Sequence, residues 1–413
     1  MANAILTPSI IAKEALMHLE NNLVLAPLVN TDYSSEFNGT VGSTIDVRRP
    51  VRMNVQRNNL DVSSFNTDIE DANVAVQMDQ TATAKFELTP TELTLDIANP
   101  RIQQVVTNAA IKLRDEIEVE LAKLYSSVYW FSGTPGTPPA TVQPLLDAHA
   151  EMVDVAIPAD PLNGVHSPAT YAKLAGSMGQ LQVPRGKVAT ALERSNFGWY
   201  GGFENYRSVH IPRHVVGAHG GTPLVNGASQ GVTYAASKAT WSQSLVTDGW
   251  TNSITNVVRA GDVFTIAGVF AVNPISKQST GRLQTFVVLE NANSGGSTGP
   301  ATLTISPPMI TTGPYQTVTA APADNAAIVM KTGTASQTYG QSLLFHRDAF
   351  LLVTRPLSIA SGSGVRTATM SGNRTSISVT ERTDFDTLKH EYRLDILFGT
   401  KAVAPWLAHR LTA

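Results

Sequence analysis

Between Asn99 and Phe131 the chain repeats apolar side chains at one spacing for longer than most helices last. Ile102, Val105, Val106, Ala109, Ala110, Leu113, Ile117, Leu121, Leu124 and Val128 fall on one stripe. Asn99 can cap such a helix, and Pro100 suits its first helical position. Carried to Phe131, the helix would be about 48 Å long at 1.5 Å per residue. The stripe keeps no sustained heptad, so a coiled coil is not its natural partner. It reads as a spine on which sheets and neighbours pack.

The sequence before the spine poses the opposite problem. DYSSEFNGTVGSTIDVRRPVRMNVQRNNLDVSSFNTDIED is polar, rich in turns and poor in large apolar residues. Ile45 and Val47 alternate, as do Val74, Val76 and Met78, and then Ala84, Phe86 and Leu88. That pattern predicts a long two-stranded excursion without a core of its own, which needs a partner surface. Ahead of it, Ser9 to Leu25 predicts a short amphipathic helix, with Ile10, Ile11, Leu16, Leu19 and Leu23 on one side.

Beyond the breaker loop GTPGTPPATVQP, helices are predicted near Leu145–Val155 and Pro168–Gly176. From about Thr222 to Gly340 the composition turns to Thr, Ser, Gly and Val in short alternating runs. The only helix suggested there is near Asp324–Ala327. Regularly spaced short strands predict a small β-barrel or sandwich. The run Val257–Pro274, with Gly261 and Gly268 bounding a buried strand, lies inside it. After Gly340 the earlier style resumes with SLLFHRDAFLLVTRPL and then EYRLDILFGTKAV, where Tyr392, Leu394, Ile396 and Phe398 share a face. The reading is a β-domain inserted into an α+β host, which insertion at a surface permits.

Totals narrow the function. The chain has 413 residues, 42% hydrophobic and 15% charged, with net charge −3. So few charges on so large a chain suggest a surface covered by copies of itself. Near-neutrality offers no case for a nucleic-acid groove or an anionic membrane surface. Without cysteine there are no disulfides, thiolate nucleophiles or thiolate metal sites. The start, MANAILTPSIIAKEALMHLENN, lacks the basic and continuously apolar regions of a secretory leader. No apolar run is long enough to span a bilayer.

Reaction chemistry finds little support. Gly295-Gly296-Ser297-Thr298-Gly299 matches G-x-S-x-G, but a strand-like ATLTI follows it where a nucleophile elbow needs a helix. His210, His214 and His219 form a cluster whose spacing, broken by Pro212 and glycines, fits neither helix nor strand ligation. Asp147, Glu151 and Asp154 share one side of a predicted helix, the ordinary pattern of a solvated face. No catalytic residue, cofactor or metal is therefore expected. Two charge groups are more suggestive. Arg48, Arg49, Arg52 and Arg57 lie in the coreless hairpin, and Asp115, Glu116, Glu118 and Glu120 lie on the spine. Arginine favours bidentate pairing with carboxylates, so these groups are candidate contacts between copies.

FELTPTELTLDI (Phe86–Ile97), GDVFTIAGVFAVNP (Gly261–Pro274), LLFHRDAFLLVTRPL (Leu343–Leu357) and HEYRLDILFGTKAVAPWLAHRL (His390–Leu411) resemble, in order, blocks of tailed-bacteriophage major capsid proteins. More narrowly they resemble the coat-protein family of short-tailed phages whose shell fold carries an inserted immunoglobulin-like domain. The resemblance implies an α+β phage major-capsid shell fold. Its parts would be an N-terminal arm (1–32), an extended β-hairpin loop (33–95), a peripheral domain with the spine helix (96–144), an axial domain (145–221), the inserted β-barrel or immunoglobulin-like domain (222–340), and an axial and peripheral return (341–413). It also implies self-assembly into pentamers and hexamers of an icosahedral shell around double-stranded DNA. The implied partners are a scaffolding protein, a portal and a decoration protein, with non-specific DNA contact, no membrane, and assembly in the host bacterial cytoplasm. The alternatives are another virion or surface-layer protein with a β-sandwich appendage and, further off, a hydrolase using Ser297 or the histidines.

Overall fold

The computed structural model describes residues 8–21, 23–35, 44–53, 72–90, 98–158, 161–178, 198–358, 365–372 and 374–412. In chain order, helix α1 (Pro8–Asn21) precedes strands β1 (Thr44–Arg48), β2 (Asn73–Gln77) and β3 (Gln80–Leu88). Helix α2 (Ala98–Lys123) leads to β4 (Trp130–Ser132), α3 (Gln143–Asp154), β5 (Leu162–His166) and α4 (Pro168–Met178). Next come β6 (Trp199–Tyr200), β7 (Phe203–Arg207), β8 (Arg213–Val215), β9 (Gly221–Val225) and the single-turn α5 (Tyr234–Ser237). Strands β10 (Gln243–Trp250), β11 (Val263–Val272), β12 (Ser279–Val288), β13 (Ala301–Ser306) and β14 (Ile328–Met330) follow. The chain finishes with β15 (Thr338–His346), β16 (Phe350–Arg355), β17 (Val365–Ser371), β18 (Ser376–Thr383), β19 (His390–Ala402) and β20 (Ala408–Thr412). Among the described residues, no helix is long and apolar enough to cross a membrane.

Two compact units divide the chain. One comprises Met1–Ile45, Ala75–Ala122 and Phe350–Lys401; the other comprises Asp46–Val74, Lys123–Ala349 and Ala402–Ala413. β1 and β2 pair as a two-stranded sheet of their own, with Val47, Val74 and Val76 on its buried face.

The first unit is built on an antiparallel sheet, ordered β16-β19-β18-β17, with β3 also paired to β19. β3 runs beside β19 from Leu88↔His390 to Gln80↔Phe398. Tyr392, Leu394, Ile396 and Phe398 are all buried, the shared face their alternation predicts. Phe86 stacks on Tyr392 at 5.2 Å. α1 lies on β17 and β18 and buries Ile11, Ala12, Ala15 and Leu19. Ile10 points outward instead, and Leu23 is buried beyond the helix end. α2 buries Val106, Ala110, Leu113, Ile117 and Leu121. It ends at Lys123, eight residues short of the Phe131 limit read from the sequence. Leu124–Ser127 tighten into a 3-10 turn and Trp130–Ser132 form β4. The helix is therefore about 39 Å long. Val128 continues the apolar register, but Tyr129, Trp130 and Phe131 are bulky aromatics that suit an extended backbone.

The second unit holds two sheets. One is mixed, ordered β4-β20-β15-β5-β7-β6, with β8 added to β15. Its core, shared with α3 and α4, is Leu145, Met152, Leu162, Tyr171, Leu174, Phe203, Leu344 and Leu411. The other is six-stranded and ordered β14-β11-β12-β13-β10-β9. Its two edges meet through the Leu224↔Ala327 bridge and the Val225 N–H to Ala326 carbonyl bond. The sheet thus closes on itself around Leu245, Trp250, Phe264, Ile266, Phe286, Leu303 and Ile305. This is a barrel of one sheet, not the two facing sheets of an immunoglobulin-like sandwich. Closure leaves no edge strand to protect, which six short strands achieve only by wrapping. Asp324–Ala327, suggested as helical, forms a turn into β14, and the region's one helix is α5.

Candidate functional site

The charged residues singled out in the sequence divide sharply once placed. Glu118 is 1% exposed, and its carboxylate accepts the backbone N–H groups of Val24 at 2.8 Å, Leu25 at 2.9 Å and Ala26 at 3.3 Å. Those donors open the 3-10 turn Ala26–Leu28, a concave row of N–H groups that suits an anion. Glu118 therefore ties the N-terminal arm to the spine inside its own chain. Its neighbours do not share that role. Glu116 is exposed and Glu120 half-buried, and both line a groove of about 620 Å³ with Asp79, Lys112 and the start of β3. Asp115 is held beside Arg114 on the same helix.

The arginines divide in the same way. Arg49 is 7% exposed; its Nη1 donates to the Lys238 carbonyl at 2.7 Å. Its guanidinium lies over the rings of Trp241 and Trp406 at 5.5 and 5.7 Å. Burial holds its pKa below the ordinary arginine value, with Tyr234 opposing. Arg49 is thus used within its own chain, at the base of the hairpin. Arg52 is half-buried next to it, and its backbone N–H donates to the Tyr315 hydroxyl at 3.0 Å. Arg48 faces outward on β1. Arg57 lies outside the described residues.

Within the second unit, a further cluster sits where the turn Leu124–Ser127, the barrel and the C-terminal strand meet. Asp262 is fully buried. One carboxylate oxygen takes His214 Nε2 at 2.8 Å and the Thr332 hydroxyl at 3.1 Å. The other takes the Gly217 N–H at 3.0 Å and the Arg259 N–H at 2.7 Å. His214 Nδ1 faces the Tyr125 hydroxyl at 3.0 Å. Arg410 is also fully buried, donates Nη2 to the Gly261 carbonyl at 2.8 Å, and lies over the Tyr125 and Phe131 rings. Burial pulls its guanidinium down to about 10. Gly261 turns with φ +97°, and a Cβ there would stand 3.1 Å from the His214 ring, so glycine is needed. The sequence signal was an acid directly after a glycine in an otherwise apolar run; nothing in the sequence linked it to His214 or Arg410.

The remaining motifs resolve structurally. Ser297 has φ +73° in the loop joining β12 to β13, without the strand-turn-helix of a nucleophile elbow. The histidines scatter: His214 binds Asp262, while His219 Nε2 faces the Gly333 carbonyl at 3.1 Å. Among the described residues, no group of His, Asp and Glu is arranged to hold a metal. Glu151 of α3 meets His409 at 2.9 Å and Arg282 at 3.0 Å, so one carboxylate joins that helix to the C-terminal strand and to the barrel.

Comparison with known proteins gives the class. A sequence model of the P22 coat protein (gene protein 5) matches residues 1–409. The chain belongs to that family. It is a major capsid protein, which forms the shell of a tailed bacteriophage. No curated protein sequence matches the chain. Among solved structures, the capsid of Ralstonia phage GP4 is similar with TM-score 0.48 and 9% identity, over 93% of this chain and 86% of that one. Mycobacterium phage Che8 gives TM-score 0.46 and 13% identity over 94% and 90%. The CUS-3 coat protein I-domain gives 28% identity and TM-score 0.20 over 27% of this chain and 96% of that one.

Proposed function

We propose that this coat protein closes an icosahedral shell by seating the hairpin of one copy on the spine groove of the next. The open groove carries the reading: Glu116, Glu120 and Asp79 line it, while Arg48 stands outward on β1. Arginine and carboxylate across such a contact fix register and steer encounter more than they add affinity. The two-stranded sheet supports the same reading, because among the described residues β1 and β2 join no larger sheet, and two strands alone are marginal. Contacts of one patch with a different patch on the next copy close into rings when the rotation allows, which is how pentamers and hexamers arise. In this reading 1–32 is the arm, 33–95 the extended loop, 96–144 and part of 341–413 the peripheral domain, 145–221 the axial domain, and 222–340 an inserted stabilising module. A scaffolding protein, a portal and a decoration protein are its partners, packaged double-stranded DNA its non-specific cargo, and the host cytoplasm its place of assembly. It does no catalysis.

The test is a charge exchange. Arg48→Glu is expected to leave a folded monomer that forms few or no shells by sedimentation and negative-stain microscopy. Adding Glu116→Lys to the same chain is expected to restore shells. Shells formed normally by Arg48→Glu alone would overturn the pairing.

A further inference from the structure

Of the three Asn–Gly pairs in the sequence, Asn38–Gly39 lies outside the described residues and the other two have opposite settings. Asn163 is 5% exposed, and Gly164 is held between β15 and β7 inside the mixed sheet. Asn226 is exposed, directly after β9, and Gly227 turns the chain with φ +98°. Glycine there leaves the backbone nitrogen uncrowded by a Cβ. The Asn226 backbone is fixed: its N–H donates to the Val246 carbonyl at 3.0 Å and its carbonyl accepts Gln230 Nε2 at 2.7 Å. Among the described residues its side-chain amide has no hydrogen-bond partner, so it is free to rotate toward the next peptide nitrogen.

That nitrogen has a base on it. The Gly227 N–H donates to Asp324 Oδ1 at 2.8 Å, the reach a general base needs. The second oxygen of Asp324 accepts Asn325 Nδ2 at 3.0 Å, and among the described residues no cation pairs with this carboxylate. The segment carrying Asp324 is itself fixed to β9. The Asn325 N–H donates to the Val225 carbonyl at 2.9 Å, and the Val225 N–H to the Ala326 carbonyl at 3.0 Å. Nucleophile and base are thus neighbouring rungs of the seam that closes the barrel.

We infer that Asn226–Gly227 is a self-modifying site, converted to aspartate and isoaspartate through a cyclic imide with Asp324 as the base. The Gly227 nitrogen gives its proton to Asp324 and bonds to Asn226 Cγ; the Cγ–Nδ2 bond breaks, and ammonia leaves carrying that proton. Water then opens the imide at either carbonyl, which yields aspartate or isoaspartate. The product changes the seam. Both forms set a new carboxylate close to Asp324, a like-charge pair where there was none. Isoaspartate also lengthens the main chain by one carbon at position 226. The reaction therefore loosens the closure of the barrel with time.

The experiment incubates the purified full-length protein at physiological temperature and pH and maps its peptides by mass spectrometry over time. Conversion at Asn226 is expected, with aspartate and isoaspartate both recovered, while Asn163 in the same sample stays intact. A synthetic peptide spanning Leu224–Gln230, which lacks Asp324, is expected to convert more slowly. Asp324→Asn keeps an acceptor for the Gly227 N–H but cannot take its proton, and is expected to slow conversion by on the order of 10²-fold, the worth of a positioned base. The parent rate is expected to be nearly flat between about pH 6 and 8, whereas the Asp324→Asn rate is expected to rise about tenfold per pH unit as hydroxide takes over. Aged protein is expected to melt lower than fresh protein, and Asn226→Gln protein to keep its melting temperature on ageing. Conversion no faster in the folded protein than in the peptide would overturn the inference. So would an Asp324→Asn variant that matches the parent in melting temperature, rate and pH slope.

Discussion

Two polar clusters lie in the same compact unit and have opposite balances. At the barrel junction, the single carboxylate of Asp262 receives four donors and is fully engaged. At the hairpin base, the Arg49 guanidinium lies over the rings of Trp241 and Trp406 and donates to the Lys238 carbonyl. The first answers a buried carboxylate with four donors from four different residues. The second answers a buried cation with aromatic faces and a backbone carbonyl. Burial alone does not distinguish the two, because both are largely dry. The kind of partner does.

The comparison breaks first at Asp262. Asp262→Ala strands His214, Thr332 and two backbone N–H groups in the interior, and unfolding in urea is expected to show a loss of about 3–5 kcal/mol. A loss below about 1 kcal/mol would mean the junction is not what holds barrel to body.

Glu118→Gln gives the next largest effect. The amide keeps one acceptor but turns an N–H₂ toward the donors of Val24, Leu25 and Ala26. The expected cost is about 2–3 kcal/mol, read by melting, with the arm becoming sensitive to limited proteolysis.

Acid sharpens the comparison at a third buried group. His166 is fully buried, its Nε2 shared with Asn205 Oδ1 at 2.9 Å, and Asn205 is fixed by donating to the carbonyls of Gly198, Tyr200 and Phe203. Burial pulls its pKa down to about 4. The unfolded chain, with histidine near 6.5, then binds the proton first, so stability rises with pH between about 4 and 6.5 and is lost as pH falls through that window. The loss is on the order of 2–3 kcal/mol, and His166→Gln is expected to flatten that part of the stability-pH curve.

The smallest effect is expected at half-buried Arg52, where Arg52→Gln is expected to change stability by less than about 1 kcal/mol. A large loss would mean that Arg52 already has a structural partner there.

Much of this was legible in the sequence, for identifiable reasons. Tyr392, Leu394, Ile396 and Phe398 alternate because one face of β19 is dry, and period two survives any tertiary arrangement that keeps it so. In β11 the alternation failed to separate inside from outside. Phe264 and Ile266 fill the barrel, but Val263 is buried on the outer face against Tyr129 and Val287. The charged groups were the least legible. Arg48 and Arg49 are adjacent letters, and so nearly are Glu116 and Glu118, yet in each pair one residue is buried and the other exposed.

The sequence by itself determined the long apolar helix and the β-rich character of 222–340. Each follows from local periodicity and residue chemistry, which act over a few residues. Only the tertiary structure decided that the inserted strands close into one barrel, that α2 stops at Lys123, and which carboxylates and guanidinium groups are consumed internally. Those outcomes depend on partners far along the chain, such as Glu118 with Leu25 and Asp262 with His214. The free energy of a buried charge is set by the donors that reach it, and residues so far apart in sequence leave no trace of that distance in the letters between them.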